Sequence, residues 1–499
     1  MKVLLMYKDR DFNPKELTLP TNEQSLTQDL ELNTLFYAMS LGDNYLYDVA
    51  KYAVLSGFDN DVETVQYRQE ILKDCLKNAS VIRTLYQIPI EAILNKRKHW
   101  LGISGISPRG ILNSAVAMLQ MFVSLLKKLK DITDQCADDF ESEGFNRFFS
   151  MIKKELNDDY FESLQNYLKE LKFRDGVLIS AELGRGNEGI DHILRKPLDN
   201  QQNWVKRVFS QKSPVYSFSI HPRDDYGARA LSEFTDKGIN QVANALAQSA
   251  DHINDFFNVL RTELAFYIGS LNLYEQLIEM ENPIAFPLAV ASNERRHTFQ
   301  GLYDVCLALT KKQKIVGTSV CADSKDLILI TGANQGGKST FLRSIGLSQL
   351  MMQCGMFVPA DTFGANLCKG LFTHYKRKED ATMKSGKLDE ELGRISQIAD
   401  QITSNSLILF NESFAATNER EGSEIARQIT SALLEKNIKV FFVTHLYEFA
   451  HGFYEKQLEN TSFLRAERRT DGKRTFKIVE DKPLQTSYGE DVYEKIFIH

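Results

Sequence analysis

The chain has 499 residues, of which 43% are hydrophobic and 25% charged, and its formal net charge is -6. This balance belongs to a soluble globular protein of about three domains, and it excludes a global attraction to nucleic acid, so any DNA contact must come from local basic patches. The six cysteines (Cys75, Cys136, Cys306, Cys321, Cys354 and Cys368) show no C-x-x-C pairing, which argues against a zinc site or a disulfide framework and leaves buried thiols as the expectation.

The N-terminal run MKVLLMYKDRDF is apolar only briefly before charges return. Neither a signal peptide nor a membrane span is expected, and a cytoplasmic location follows. Residues 1–25 carry Pro14 and Pro20 without clear periodicity and read as an arm. From Leu26 the pattern turns helical, with Leu30, Leu32, Leu35, Phe36 and Met39, then Leu46, Val49, Ala50 and Ala53, recurring near the 3.6-residue period. VETVQYRQEILKDCL, ILNSAVAMLQMFVSLLKKL and FNRFFSMIKKEL continue it to about residue 172. Apolar stripes of this kind are helix-to-helix core rather than ligand boxes.

The strand-like VLISAEL, Val177 to Leu183, is followed by Gly184-Arg-Gly186-Asn-Glu-Gly189, which spells a dinucleotide fingerprint. The context fails: too few residues separate Gly189 from Pro197 for the helix that should receive a pyrophosphate, so a hairpin or loop is expected. Next, Arg195, Lys196, Lys206 and Arg207 surround Trp204. Basic residues interleaved with an aromatic suit a phosphate backbone and make these four the candidate DNA contacts, set against the alternative of a solvated face. From Ala228 to about Leu277, Ile239, Val242, Leu246, Ile253, Phe257, Leu260, Leu264 and Leu271 fall broadly on one side of a helix. Its length suggests a rod or lever. Pro283 and Pro287 then mark a boundary, with a nucleotide-handling module from about residue 284.

In that module DLILITGANQGGKSTF places an apolar strand, a G-x-x-x-x-G-K-S loop and a helical pattern in succession. This is the setting that a P-loop requires. Glycines let backbone N–H groups converge on phosphate oxygens, Lys338 would reach the β- and γ-phosphates, and Ser339 would ligate Mg²⁺. Gly332, Asn334, Gly336, Gly337, Lys338, Ser339 and Thr340 are the candidate ATP contacts. Three apolar strands, 327–331, 406–410 and 438–443, alternate with helical segments, which predicts a parallel sheet covered on both faces. Ligands in such folds sit at the carboxyl ends of the strands. The second strand runs into Asn411-Glu412 and the third into Thr444-His445. Glu412 is placed to activate the attacking water, and Asn411 offers a neutral oxygen on the metal side, which lowers the expected Mg²⁺ affinity. His445 is a candidate for bonding the γ-phosphate, against the alternative of a strand-end histidine bonded locally.

TGANQGGKSTFLRS, MFVPA, SLILFNESFAATNEREG, FFVTHLYEFA and TSYGEDV together resemble the ATPase domain of MutS-type DNA mismatch repair proteins. Upstream, LELNTLFYAM, GDNYLYDVAKYAVL and VETVQYRQEILKDCL resemble the helical lever of the same family. The resemblance implies a multidomain chain: a helix-rich lever and clamp half over 26–283, with a clamp-like insertion around 173–225, followed by an α/β P-loop (ABC-like) ATPase domain over 284–499. It also implies a homodimer that closes on duplex or branched DNA under the control of ATP, without membrane association. A partner-supplied serine completes each ATP site in that family, and Ser385 matches it loosely. Three departures qualify the likeness. The lever-like helices begin near residue 26, so the family's mismatch-reading and connector domains are expected to be absent and mismatch reading is in doubt. The family's acidic pair is Asn411-Glu412 here, and its glycine-rich segment reads Ser413-Phe-Ala-Ala-Thr417-Asn418. Three functions compete: a slow, DNA-coupled ATPase of repair or recombination, a nucleotide-gated DNA-binding scaffold with little turnover because of Asn411, and an ABC-like ATPase acting on something other than DNA.

Overall fold

The computed structural model describes residues 1–100, 107–173, 176–196, 216–377, 386–469 and 474–484. The chain divides into two compact units: Met1–Val3 with Arg83–Asp139 and Asn146–Arg261, and Leu4–Ile82 with Phe140–Phe145 and Thr262–His499.

Among its described residues the first unit is helical apart from one hairpin and short connecting segments. Its helix Pro108–Cys136 starts where Ser107 Oγ accepts the Gly110 N–H and proline occupies the first turn, both favourable at a helix N-terminus. Leu112, Ala115, Leu119, Phe122, Leu126 and Leu129 form its buried stripe. Pro108–Asp139 is long and apolar enough by composition to cross a membrane, yet half of its most apolar window is buried inside the fold, as in an amphipathic core helix. Strands β1 (Leu178–Leu183) and β2 (Gly189–Arg195) pair antiparallel across the 3-10 turn Arg185–Asn187, so the glycine-rich run is a hairpin and leads directly into a strand rather than a helix. The long periodic stretch is one 55-residue helix, Asp225–Glu279, divided between the two units at Arg261 and Thr262.

The second unit holds four helices from the N-terminal part, Glu23–Asp29, Leu32–Ser40, Asn44–Leu55 and Val62–Lys77, and two sheets. Strands β3 (Leu288–Val290), β4 (His297–Leu302), β5 (Thr318–Cys321) and β7 (Thr362–Asn366) form one sheet in the order β3-β7-β4-β5. The other contains β6 (Leu327–Gly332), β8 (Leu371–Tyr375), β9 (Leu407–Asn411), β10 (Lys439–Val443), β11 (Thr461–Arg468) and β12 (Arg474–Glu480). Its order is β12-β11-β6-β10-β9-β8, parallel throughout except for β12. The three strands expected from the sequence are thus neighbours, β6-β10-β9, and their side chains Leu327, Leu329, Ile408, Phe410, Val440 and Phe442 join one core with Phe449 and Phe453. Burial on both faces explains why these strands are continuous apolar runs rather than alternating ones.

Two expectations change. Cys321 is exposed on β5, at an outward position of its alternating pattern, and Cys136 is half-buried, so the cysteines are not uniformly buried thiols. The aperiodic N-terminal residues are also packed: Leu5, Met6 and Phe12 are buried, and their backbone N–H groups donate to the carboxylate of Glu263 on the long helix. Their positions are set by backbone hydrogen bonds to a distant side chain, which leaves no period to read.

Candidate functional site

The sheet delivers the site. Strand β6 is buried along its whole length and ends at Gly332, whose φ of 107° is the left-handed conformation that disfavours any side chain. The loop closes at Gly337, φ 91°, which caps the helix Lys338–Gln353. Lys338 is the first residue of that helix and only 5% exposed, and its Nζ turns back to donate to the carbonyls of Gly332 and Ala333, both at 2.9 Å. Burial lowers its pKa to about 8, against the opposing pull of the Glu412 charge. Arg474, at the start of β12, fixes the loop from the other side by donating to the Asn334 carbonyl at 2.7 Å.

Strands β9 and β10 are aligned so that Asn411 is paired with Val443. This register brings the end of β9 beside the loop, and Ser339 Oγ donates to Asn411 Oδ1 at 2.9 Å. These two neutral oxygens are hard donors suited to a cation that keeps several of its waters. Among the described residues no cluster of three or more His, Cys, Asp or Glu side chains is arranged to hold a metal. Glu412 follows directly, its N–H donating to the Val443 carbonyl at 2.9 Å and its Oε1 3.0 Å from His445 Nε2. The hydrogen bond to His445, with smaller contributions from Lys338 and Lys376, holds the Glu412 carboxyl below the ordinary glutamate range. It is therefore ionised at neutral pH and available as a proton acceptor.

A cavity of about 590 Å³ opens over this group, lined by Asn334, Gly336, Gly337, Lys338, Ser339, Thr340 and Glu412 at one end. Leu307, Ile315, Val316 and Phe476 line the rest, with Lys311 and Lys314. The volume is that of a small-molecule site, with the polar loop and Glu412 in one part of its lining and apolar side chains interspersed with two lysines in another. Sequence reasoning missed this apolar part. Ile315 and Val316 lie in a connecting segment and Phe476 in a strand with no apolar run, so no spacing rule marks them.

The structure thus brings Gly332, Asn334, Gly336, Gly337, Lys338, Ser339, Thr340, Asn411, Glu412 and His445 to one place. Ser385, Lys206 and Arg207 lie outside the described residues. Arg195 and Lys196 stand elsewhere, at the exposed end of β2: Arg195 Nε donates to Ser180 Oγ at 2.8 Å, and Lys196 Nζ is 3.4 Å from Glu170.

Two family models match the chain, one described as the MutS2 N-terminal domain over residues 60–280 and one as MutS domain V over residues 328–498. The chain is 26% identical over 306 residues to the DNA mismatch repair protein MutS of Prochlorococcus marinus (strain MIT 9301), covering 59% of this chain and 32% of that protein. It is 30% identical over 152 residues to human MutS protein homolog 4, covering 30% and 16%. With the DNA mismatch repair protein MutS of Clostridium botulinum (strain Alaska E43 / Type E3) it shares 35% identity over 134 residues, covering 26% and 14%. The matched stretches span about a third or less of these relatives' own lengths.

Proposed function

Because the chain belongs to the MutS family, we propose that it is an ATP-dependent DNA-binding protein of mismatch repair or recombination, in which ATP binding and hydrolysis gate a homodimeric clamp on duplex or branched DNA. The observation that carries the reading is the convergence of Lys338, Ser339 and Glu412 on one cavity, with Asn411 hydrogen-bonded to Ser339. In this reading the backbone N–H groups of 334–340 and the Lys338 ammonium hold the triphosphate, and Ile315, Val316 and Phe476 take the base. Ser339 and Asn411 fit Mg²⁺ by donor type, and the ion would supply charge neutralisation at the phosphates. Glu412 accepts the proton of the attacking water, His445 orients the carboxylate, and the left-handed turn that begins at Glu412 fixes the approach. Arg195, Lys196, Lys206 and Arg207 would meet the DNA backbone, and Ser385 would reach the partner's nucleotide in a cytoplasmic homodimer.

A second reading, nucleotide-gated DNA binding with little turnover, is favoured by one observation: the oxygen beside Ser339 belongs to an amide and brings no charge to the metal position. Steady-state ATP hydrolysis by wild type beside Glu412→Gln, with and without DNA, separates the two. The enzyme reading expects wild-type turnover about 100-fold or more above the variant. Equal rates with ATP still bound would establish the scaffold reading instead.

A further inference from the structure

The turn that carries Glu412 is strained and is held from outside the nucleotide cavity. Glu412 and Phe414 both adopt left-handed backbone conformations, φ 56° and 62°, although neither is glycine. Such residues persist only where their surroundings over-determine them, and here the surroundings can be named. The Phe414 N–H donates to Glu391 Oε2 at 2.7 Å. Glu391 is 1% exposed and sits on the helix Lys387–Gln401. Between the two left-handed residues, Ser413 Oγ lies 2.7 Å from His374 Nδ1 on β8 and also donates to the His374 carbonyl at 2.7 Å. His374 Nε2 lies 3.1 Å from the Glu391 carbonyl oxygen, which can only accept. That contact assigns the ring proton to Nε2 and makes Nδ1 an acceptor, so the single Ser413 hydroxyl proton is shared between Nδ1 and the His374 carbonyl. The ring is buried, kept neutral by its surroundings, and stacked on Phe414 with 5.5 Å between centroids and 19° between planes.

We propose that Glu391 and His374 are positioning residues that set the backbone of Glu412 and thereby the rate of the hydrolytic step. Neither lines the cavity, so neither contributes to holding the nucleotide. Glu391 ties the amide two residues past Glu412 to the helix Lys387–Gln401, and His374 ties the intervening serine to the same helix and to β8. A displacement of that helix is therefore passed directly to the carboxylate. The helix acts as a control on turnover that is separate from nucleotide affinity.

The inference rests on the ATPase reading, and its test begins with wild type beside Glu412→Gln. If these two turn over ATP equally, the ATPase reading fails and this proposal with it. Given wild-type turnover, Glu391→Ala removes the acceptor for the Phe414 N–H, whereas Glu391→Gln retains a carbonyl oxygen there. We expect kcat to fall about 10- to 100-fold in Glu391→Ala with the Kd of a fluorescent ATP analogue within about twofold of wild type, and Glu391→Gln to recover most of the loss. Backbone amide exchange, read on a peptide covering 412–416 of the full chain, should accelerate in Glu391→Ala and return toward wild type in Glu391→Gln. Unchanged kcat in Glu391→Ala, or unchanged exchange over 412–416, overturns the proposal. So does a parallel loss of binding and turnover that Glu391→Gln fails to restore, because that pattern marks a purely structural role.

Discussion

Raising the pH from 7 to 9 should weaken nucleotide binding about tenfold, because one buried lysine supplies the charge that faces the phosphates. Burial takes the Lys338 pKa from 10.5 to about 8. On that value roughly nine sites in ten carry the proton at pH 7, half at pH 8 and about one in ten at pH 9. If only the ammonium form binds, the apparent Kd scales inversely with that fraction. The depression corresponds to about 3 kcal/mol held against the charged form, which a bound triphosphate offsets. Stability moves the other way. The unfolded chain binds more protons than the folded one between about pH 8 and 10.5, so the contribution of this lysine to stability rises across that window. Deprotonation of Lys338 therefore does not itself unfold the chain at pH 9, and the melts separate weaker binding from stability lost at other groups such as Glu263. The assay is a titration with a fluorescent ATP analogue from pH 6.5 to 9.5, with thermal melts at each pH. Lys338→Arg, whose guanidinium keeps its charge, should show a flat profile. A flat wild-type profile, or the same slope in Lys338→Arg, would refute the reasoning.

Asn411→Asp places a charge beside Ser339, and the Mg²⁺ concentration for half-maximal ATP turnover should fall roughly tenfold, as ligand charge count dictates; no change in a Mg²⁺ titration removes Asn411 from the metal site. Glu263 accepts N–H bonds from Leu5, Met6 and Phe12, and Glu263→Gln replaces one acceptor oxygen with a donor, so unfolding by denaturant should shift by about 1–3 kcal/mol. Burial pushes the Glu263 pKa up to about 8, above its ordinary 4.5, so the stability this group contributes is full below pH 4.5 and is lost as pH rises through about 8, a slope that the glutamine variant should flatten. Replacing Arg195 and Lys196 by alanine should weaken DNA binding evenly across sequences and reduce the slope of log affinity against log salt by about 1 to 2, whereas an unchanged slope dismisses them as phosphate contacts.

The turn from Gly332 to Gly337 was legible as a glycine loop between strand and helix because its geometry demands particular residues at fixed spacing: only glycine sits easily at φ 107° and 91°, as at Gly332 and Gly337. Glu412 and His445 were legible for a related reason, since β9 and β10 are apolar along their length and their ends are where a parallel sheet exposes chemistry. Strand β8 escaped because Thr373 and His374 interrupt its apolar run, although both are buried. Strand β12 escaped because Ile478 is its one buried residue and the others, half-buried or exposed, show no alternation. The Glu391, His374 and Ser413 linkage joins three segments through single hydrogen bonds, and no sequence period encodes that. The trans contact expected of Ser385 and the DNA contacts expected of Lys206 and Arg207 fall outside the described residues.

The central claim is that the nucleotide site controls a grip on DNA. It is tested most directly by measuring the affinity of Glu412→Gln for homoduplex, mismatched, four-way-junction and single-stranded DNA, with and without ATP, over a range of salt. The account predicts binding that weakens steeply with salt, changes severalfold or more when ATP is added, and favours junction or plain duplex over mismatch. Affinities that are the same with and without ATP on every DNA, or binding that is absent or indifferent to salt, would contradict it.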